Sequence, residues 1–178
     1  MTFPAFYTTA PAEQITQAFR YIEQNQMQGL PVCNELLTTE VVGLTRFNEC
    51  WVGVLITPWT LQLIMLPASA EAEQLEEGDH RTYEFPQGKV VFMIAENETL
   101  GPYQSCALMS PLHSFETQEQ IRQTAIEIME LMFQPPAEVE KSQSVKVAMP
   151  GRLDIDREAK SSEEKSGSRR DFLRGALK

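Results

Sequence analysis

The feature that most constrains the fold is the 17-residue stretch WVGVLITPWTLQLIMLP at 51–67, which is almost entirely apolar. Seventeen residues lie at the lower limit for a bilayer-spanning helix, and Pro58 and Gln62 interrupt the run. Two buried β-strands, 51–57 and 59–66, explain it better, because apolar side chains on both faces are typical of central strands in a covered sheet. Since proline has no N–H to donate to a ladder, Pro58 marks a bend or bulge between the two strands.

Three further segments have the composition of strands. They are 41–47, 88–96 and 103–110, each rich in β-branched, aromatic or other apolar residues. The last two are separated by NETLGP, whose turn residues predict a hairpin. The intervening stretch 68–83 is polar and acidic, and it is predicted to be a surface loop.

Two amphipathic helices flank the strands. The first covers 10–28 and is ended by Gly29. The second follows Thr117, which has capping-box spacing to Gln120, and it ends before Pro135. Both helices carry apolar residues at helical spacing on one face. These stripes are Ile15, Ala18, Phe19 and Ile22 in the first helix, and Ile121, Ala125, Ile128 and Met132 in the second.

Runs of strands, without regular strand–helix alternation, indicate an α+β domain. We expect a mostly antiparallel sheet of about five strands packed by an N-terminal and a C-terminal helix. After residue 134 large apolar residues become rare and Pro, Ser, Glu and Lys dominate, so this part cannot bury enough surface to fold. The predicted organisation is a domain at 1–134, a flexible linker at 135–167 and a terminal segment at 168–178, with disorder expected over 137–167.

The charge of the chain is uneven. Residues 1–133 hold 5 Lys+Arg and 17 Asp+Glu, a net of −12, whereas the whole chain has a net of −10. An acidic body repels nucleic acids and anionic membrane surfaces, so neither is an expected partner. The first residues show no secretory signal, and no membrane span is predicted. We therefore expect a cytoplasmic protein.

The residue types that carry catalysis or bind metals are sparse. Cys33, Cys50 and Cys106 form no CxxC pair, and neither His80 nor His113 has a partner at metal-ligand spacing. Nucleophile-elbow, P-loop and dinucleotide-binding motifs are missing from the sequence. No cofactor, metal or catalytic residue is predicted, and an enzyme of unknown type using Cys106 or His113 is a less favoured alternative.

The methionine and tryptophan content allows two interpretations. These flexible or broad side chains could line an adaptable groove for an apolar peptide. They could equally fill the core, where large apolar residues usually lie. The residues concerned are Trp51, Trp59, Met65, Met93, Met109, Met129 and Met132.

Two motifs resemble a known family. ITPW at 56–59 and SCALMSPL at 105–112, in this order and between two amphipathic helices, are similar to the HybE-type assembly chaperones of nickel–iron hydrogenases. The resemblance implies a non-catalytic cytoplasmic accessory protein that binds the large or small precursor subunit, or both, before twin-arginine export. Some relatives carry a fused rubredoxin domain, whose paired CxxC motifs this chain lacks. The partner-binding residues that the resemblance suggests are Pro58, Trp59, Met109 and Pro111.

The terminal segment contains a second recognisable pattern. SRRDFLR at 168–174 resembles a twin-arginine signal, with Arg174 in place of the usual lysine, but no apolar region follows it. It could be a short basic helix that docks on the acidic body. Alternatively it could mimic a client's signal and compete for the same groove, and a general signal-peptide-binding chaperone for another twin-arginine redox enzyme is the alternative function. The segment's predicted contact residues are Arg169, Arg170, Phe172 and Leu173, and the candidate acceptors are Glu73, Glu76, Glu77 and Asp79.

Overall fold

The computed structural model describes residues 3–72 and 76–135. The predictions for 137–167 and for the terminal segment 168–178, as well as Glu73, lie outside the described residues. The helices and strands are α1 (Ala12–Ile22), a π-helical turn (Glu23–Met27), β1 (Glu40–Phe47), β2 (Cys50–Ile56), β3 (Leu61–Pro67), β4 (His80–Phe85), β5 (Gly88–Asn97), β6 (Gly101–Met109) and α2 (Gln118–Phe133).

The strands of the described residues form one antiparallel sheet in the order β1-β2-β3-β6-β5-β4. The predicted β5–β6 hairpin is confirmed. The two predicted strands on either side of Pro58 also pair antiparallel, with Cys50 to Ile56 opposite Pro67 to Leu61 and no register break. The apolar stretch therefore consists of two central strands. Within the described ranges, none of the helices is long and apolar enough to cross a bilayer.

The prediction of a loop over 68–83 is wrong from His80 onward. His80–Phe85 forms the edge strand β4, so the described residues contain six strands. Its inward positions carry Tyr83 and Phe85, which pack in the interior, while the alternate positions are exposed. The charged residues that precede and separate these aromatic positions hide the two-residue period of a half-buried strand.

The two faces of the sheet are covered differently. α2 packs on the inner face against β1 and β2, and its stripe is buried as predicted, with Ile121, Ala125 and Ile128 inaccessible to solvent. On the outer face α1 covers only part of the sheet, where Ile15 and Phe19 contact the β2 and β3 side chains. Most of the interior therefore lies between α2 and the sheet.

The sheet curls until its two edge strands meet. Phe47 at the end of β1 and Phe85 at the end of β4 stack with ring centroids 4.3 Å apart and an interplanar angle of 18°. Phe133, in the last turn of α2, contacts both rings edge-on at 5.8 Å. The far end of α2 is thus fixed at the place where the first and last strands approach each other.

Local signals explain where the helices begin and end. α1 ends at Ile22, earlier than predicted, and the chain continues through the π-helical turn to Met27. The Thr117–Gln120 capping box at the start of α2 is confirmed in both directions.

A break in the β1 register falls at Gly43, which has φ +67° and lies so close to Met129 that a Cβ would be 2.8 Å from its Cγ. Glycine is therefore required where β1 passes α2.

Candidate partner-binding site

The two motifs that carry the family resemblance meet at one end of the sheet. We call this place the motif end and define it as residues 28–39, 57–60 and 109–117. Its centre is the β2–β3 turn, in which the Thr57 N–H and hydroxyl both donate to the Thr60 carbonyl at 2.9 and 3.0 Å. Pro58 occupies the first central position of this turn, which suits its fixed φ.

Side-chain hydroxyls join the turn to the segment after β6. The Ser110 hydroxyl donates to the Trp59 carbonyl at 2.7 Å, and the Thr60 hydroxyl donates to the Met109 carbonyl at 3.1 Å. Both contacts link residues that are about 50 positions apart in sequence. The two motifs thus form one structural unit.

Asn34 holds a third segment on this unit, and no sequence pattern pointed to it. Its side-chain Nδ2 donates to the carbonyls of Leu112 and Phe115 at 2.9 and 2.8 Å, and its backbone N–H donates to the Pro58 carbonyl at 2.8 Å. Its Oδ1 accepts the Leu36 N–H at 3.0 Å. One buried amide therefore fixes loop 28–39 against both motifs.

The motif end presents apolar side chains to solvent. Leu30 is 44% exposed and Leu36 is 64% exposed, although both lie in the loop that Asn34 fixes. The structure brings together the four body residues predicted to bind a partner, and it exposes them to different degrees. Pro58 is buried, Trp59 and Met109 are half-buried, and Pro111 is exposed.

A cleft of about 770 Å³ lies beside these residues. Met109 and Phe115 form its apolar part, and the first turns of α2 supply polar walls that include Gln120 and Gln123. The cleft is open to solvent and combines apolar surface with amide groups. It could accept an apolar side chain together with an extended backbone.

The charge around the motif end is negative. Residues 21–40, 56–62 and 108–124 contain five glutamates and one arginine, a net of −4 when histidine is neutral. Burial raises the pKa of the Cys33 thiol, and the Glu23 and Glu35 carboxylates raise it further. The negative charge of both carboxylates is therefore felt at this surface. The five glutamates are Glu23, Glu35, Glu40, Glu116 and Glu119.

The arginine of this region is already bound by carboxylates. Arg122 Nε donates to Glu40 Oε1 at 2.8 Å, and its Nη1 donates to Glu119 Oε2 at 2.5 Å. The Arg122 hydrogen bond lowers the pKa of the Glu40 carboxyl below its ordinary value. Because this cation is shared between two carboxylates, the remaining potential of the motif end favours positively charged ligands.

A second exposed apolar area lies on the outer face of the sheet, away from α1. Val91 is 38% exposed and Met93 is 53% exposed on β5, and Met93 pairs with Ser105 and His80 across the neighbouring strands. Of the other methionines suggested for a groove, Met65, Met129 and Met132 are buried in the core. Val91 and Met93 lie outside both sequence motifs, so they provide a matched control surface.

The structure places the two candidate residues of the enzyme alternative in different environments. Cys106 is 4% exposed on the inner face of β6, whereas His113 is exposed in the loop that follows. Another cysteine, Cys50, is buried as well, and burial, together with the smaller effect of the Glu49 carboxylate, raises the pKa of its thiol to about 11. Residues 3–72 and 76–135 contain no group of three or more histidine, cysteine and carboxylate side chains that could hold a metal ion.

Comparison with known proteins identifies relatives of this arrangement. Residues 10–175 match the family model described as "[NiFe]-hydrogenase assembly, chaperone, HybE". The hydrogenase expression/formation protein HupJ of Bradyrhizobium diazoefficiens is 36% identical over 161 residues, covering 90% of this chain and 85% of that protein. The probable rubredoxin HupJ of Rhodobacter capsulatus is 30% identical over 139 residues, covering 78% of this chain and 50% of that protein.

A solved structure shares the fold. The solution structure of HybE from Escherichia coli superposes with a TM-score of 0.60 at 25% identity, covering 91% of this chain and 98% of that one. The family match also extends beyond the body, since it includes the linker and residues 168–175 of the terminal segment.

Proposed function

This chain belongs to the HybE family of [NiFe]-hydrogenase assembly chaperones, and we propose that it binds the precursor subunits of an exported nickel–iron hydrogenase through the motif end. The large and the small precursor subunit are both candidate partners. Binding would hold a subunit until its assembly is complete, before twin-arginine export of the folded enzyme. This role places the protein in the cytoplasm.

The observation that carries the proposal is the combination of exposed leucines with a fixed backbone. Leu30 and Leu36 project from a loop that Asn34 holds on both motifs, so their exposure is built into the fold. A preorganised apolar surface loses little conformational entropy on binding. Trp59 adds a half-buried aromatic side chain, a residue type that is enriched among binding hot spots.

The acidic surroundings suggest which part of a precursor binds. A net charge of −4 around an apolar surface is complementary to a segment that combines arginines with large apolar residues. A twin-arginine signal has this composition, and Arg side chains can form bidentate contacts with carboxylates. The same chemistry would suit a general signal-peptide-binding chaperone for another twin-arginine redox enzyme, so the proposal requires a test with defined precursors.

The proposal can be tested by co-purification with matched surface variants. The tagged full chain, a Leu30→Ser/Leu36→Ser variant and a Val91→Ser/Met93→Ser variant are produced in cells that make each hydrogenase precursor separately. We expect the first variant to recover at least about tenfold less of a precursor, equivalent to about 1.4 kcal/mol, and the second to match the unaltered chain. Equal recovery by both variants, or loss only with the second, would contradict binding at the motif end.

Trp59 provides an independent variant. Because Trp59 packs against the outer-face cluster and also reaches the surface, Trp59→Ala should lower both the melting temperature and precursor recovery. His80→Ala should change neither quantity, since His80 is exposed outside the motif end, and His113→Ala should lower precursor recovery less than Trp59→Ala does. A Trp59→Ala protein with unaltered melting temperature and recovery would mean that the ITPW motif has another role.

A further inference from the structure

We infer that residues 168–178 of this chain occupy the motif end of the same molecule when no precursor is bound. This inference rests on the proposed function in one respect: it names a second ligand, and therefore a regulatory contact, for the same site.

The segment is complementary to the surface in charge. SRRDFLRGALK contains four basic residues and one acidic residue, a net of +3, and the residues around the motif end carry −4. Glu35 and Glu116 are exposed there, and Glu119 is exposed beside the cleft, so guanidinium groups can approach them. Arg169 and Arg170 can donate to these carboxylates with a forked geometry that lysine cannot reproduce.

The segment is also complementary in its apolar residues. Phe172 and Leu173 follow the two arginines directly. The cleft offers Met109 and Phe115 as apolar contacts next to polar amides, and Leu36 is exposed nearby on the fixed loop. Met109 can adapt its shape to an incoming ring because its side chain is unbranched and flexible.

The chain length between the body and the segment fits this docking site. α2 starts directly after the motif end and has 16 residues, so its last turn lies about 24 Å away at 1.5 Å per residue. The 32 residues at 136–167 separate this point from the segment. A coil of that length would have a root-mean-square extension of about 30 Å, which is close to the required span. A tether of matching length gives the highest effective concentration of its ligand.

The consequence for client binding is a competition. An effective concentration of about 1 mM would let even a contact with millimolar affinity occupy about half of the molecules. A twin-arginine segment of a precursor would displace the chain's own segment, and the observed affinity would be reduced at least about twofold by the competition. Removing the self-contact should therefore strengthen client binding rather than weaken it.

The contact is tested first in the full chain alone. Amide NMR signals and hydrogen exchange are compared for the unaltered chain, an Arg169→Glu/Arg170→Glu variant and a control, Arg152→Glu/Arg157→Glu, which makes the same charge change within the linker. We expect the first variant to shift signals and raise exchange at 30–39, 57–60 and 109–117, with interior signals unchanged. The control should resemble the unaltered chain, and 500 mM salt should have an effect similar to that of the first variant.

Several results would overturn the inference. They are unchanged motif-end signals, equal changes in both variants, changes located instead at Glu76–Asp79 or at Val91 and Met93, and a contact that depends on protein concentration, which would indicate a second copy. These measurements need no precursor. If the self-contact is present but precursors bind elsewhere, the proposed function fails alone; if precursors bind the motif end but the variants leave its signals unchanged, this inference fails alone.

Discussion

Two buried amide side chains show how differently the motif end and the interior are built. Asn34 at the motif end is 7% exposed and forms hydrogen bonds through both of its side-chain polar atoms. Gln104 on the inner face is 1% exposed, and neither side-chain polar atom has a protein partner among the described residues. Its cross-strand neighbours are the buried Met65 and Ile94.

The two amides show that the interior and the motif end are held in place by different interactions. In the interior, apolar burial dominates, and an amide without a partner is tolerated because the surrounding contacts are extensive. At the motif end, Leu37 and Leu112 also belong to the core, but side-chain hydrogen bonds from Asn34, Ser110 and Thr60 fix the segments to one another. Stability should therefore respond most to interior substitutions and less to Asn34, whereas precursor binding should respond to the exposed Leu30 and Leu36, whose substitution leaves stability nearly unchanged.

The largest expected effect on stability comes from emptying the interior. Ile128 on α2 is fully buried, and Ile128→Ala should lower the free energy of unfolding by about 2–5 kcal/mol through lost burial and a cavity. Urea denaturation measures this change. Glu130→Ala on the exposed side of the same helix is the control, and an equal loss in both variants would contradict the role given to the burial of Ile128.

Substitution of Asn34 should have the next largest effect on stability. Asn34→Ala removes the amide donor from the Leu112 and Phe115 carbonyls, of which only that of Leu112 keeps another donor among the described residues, the Phe115 N–H, and it should cost about 1–3 kcal/mol. Asn34→Asp keeps the acceptor for Leu36 but places a buried carboxylate against two carbonyl oxygens, so it should destabilise the protein more than Asn34→Ala does. Hydrogen exchange should rise at 30–39 and 109–117 in both variants while β2 and β3 stay protected. An unchanged exchange pattern would contradict the role given to this amide.

Substitution of Gln104 should raise the free energy of unfolding instead of lowering it. Gln104→Met keeps a similar volume and removes a buried amide without a protein partner, so we expect stabilisation by about 1 kcal/mol. The melting temperature and the urea midpoint both report this. Destabilisation would mean that the amide has a partner in solution, and the contrast with Asn34 would then disappear.

The smallest expected effect concerns the Glu40–Arg122 pair, whose side chains are 30% and 39% exposed. Pairs of this kind contribute at most about 1 kcal/mol. Because the folded pKa of Glu40 is lowered, its contribution is present above the ordinary glutamate pKa of about 4.3 and is lost as pH falls through the folded value. The melting-temperature difference between the unaltered chain and Glu40→Gln should therefore vanish in acid. A difference that persists at pH 2 would exclude this ionisation as its cause.

Much of the fold could be predicted from sequence because burial imposes periodicity. Residues 51–67 are apolar on both strand faces, and the Thr117–Gln120 spacing marked the start of α2. β4 was missed because its buried positions Tyr83 and Phe85 are separated and preceded by charged residues. Periodicity detects burial on one element, and it is weak where an edge strand is exposed on its other face.

The candidate site could be predicted only in part. The resemblance selected Pro58, Trp59, Met109 and Pro111, which the structure brings to one place. Asn34 was not predicted, because the residues it contacts lie 78 and 81 positions away in sequence and no local pattern identifies them. Long-range polar contacts of this kind follow from the tertiary fold, so a single sequence contains no local signal for them.

The central claim is that precursors bind at the motif end, and a hydrogen-exchange map of a complex tests it most directly. The full chain is measured alone and with each hydrogenase precursor subunit. We predict that a precursor slows exchange at 30–39, 57–60 and 109–117, while β4 and the outer face around Val91 and Met93 keep the exchange rates of the protein alone. Protection confined to β4 and β5, with no change at the motif end, would contradict the account.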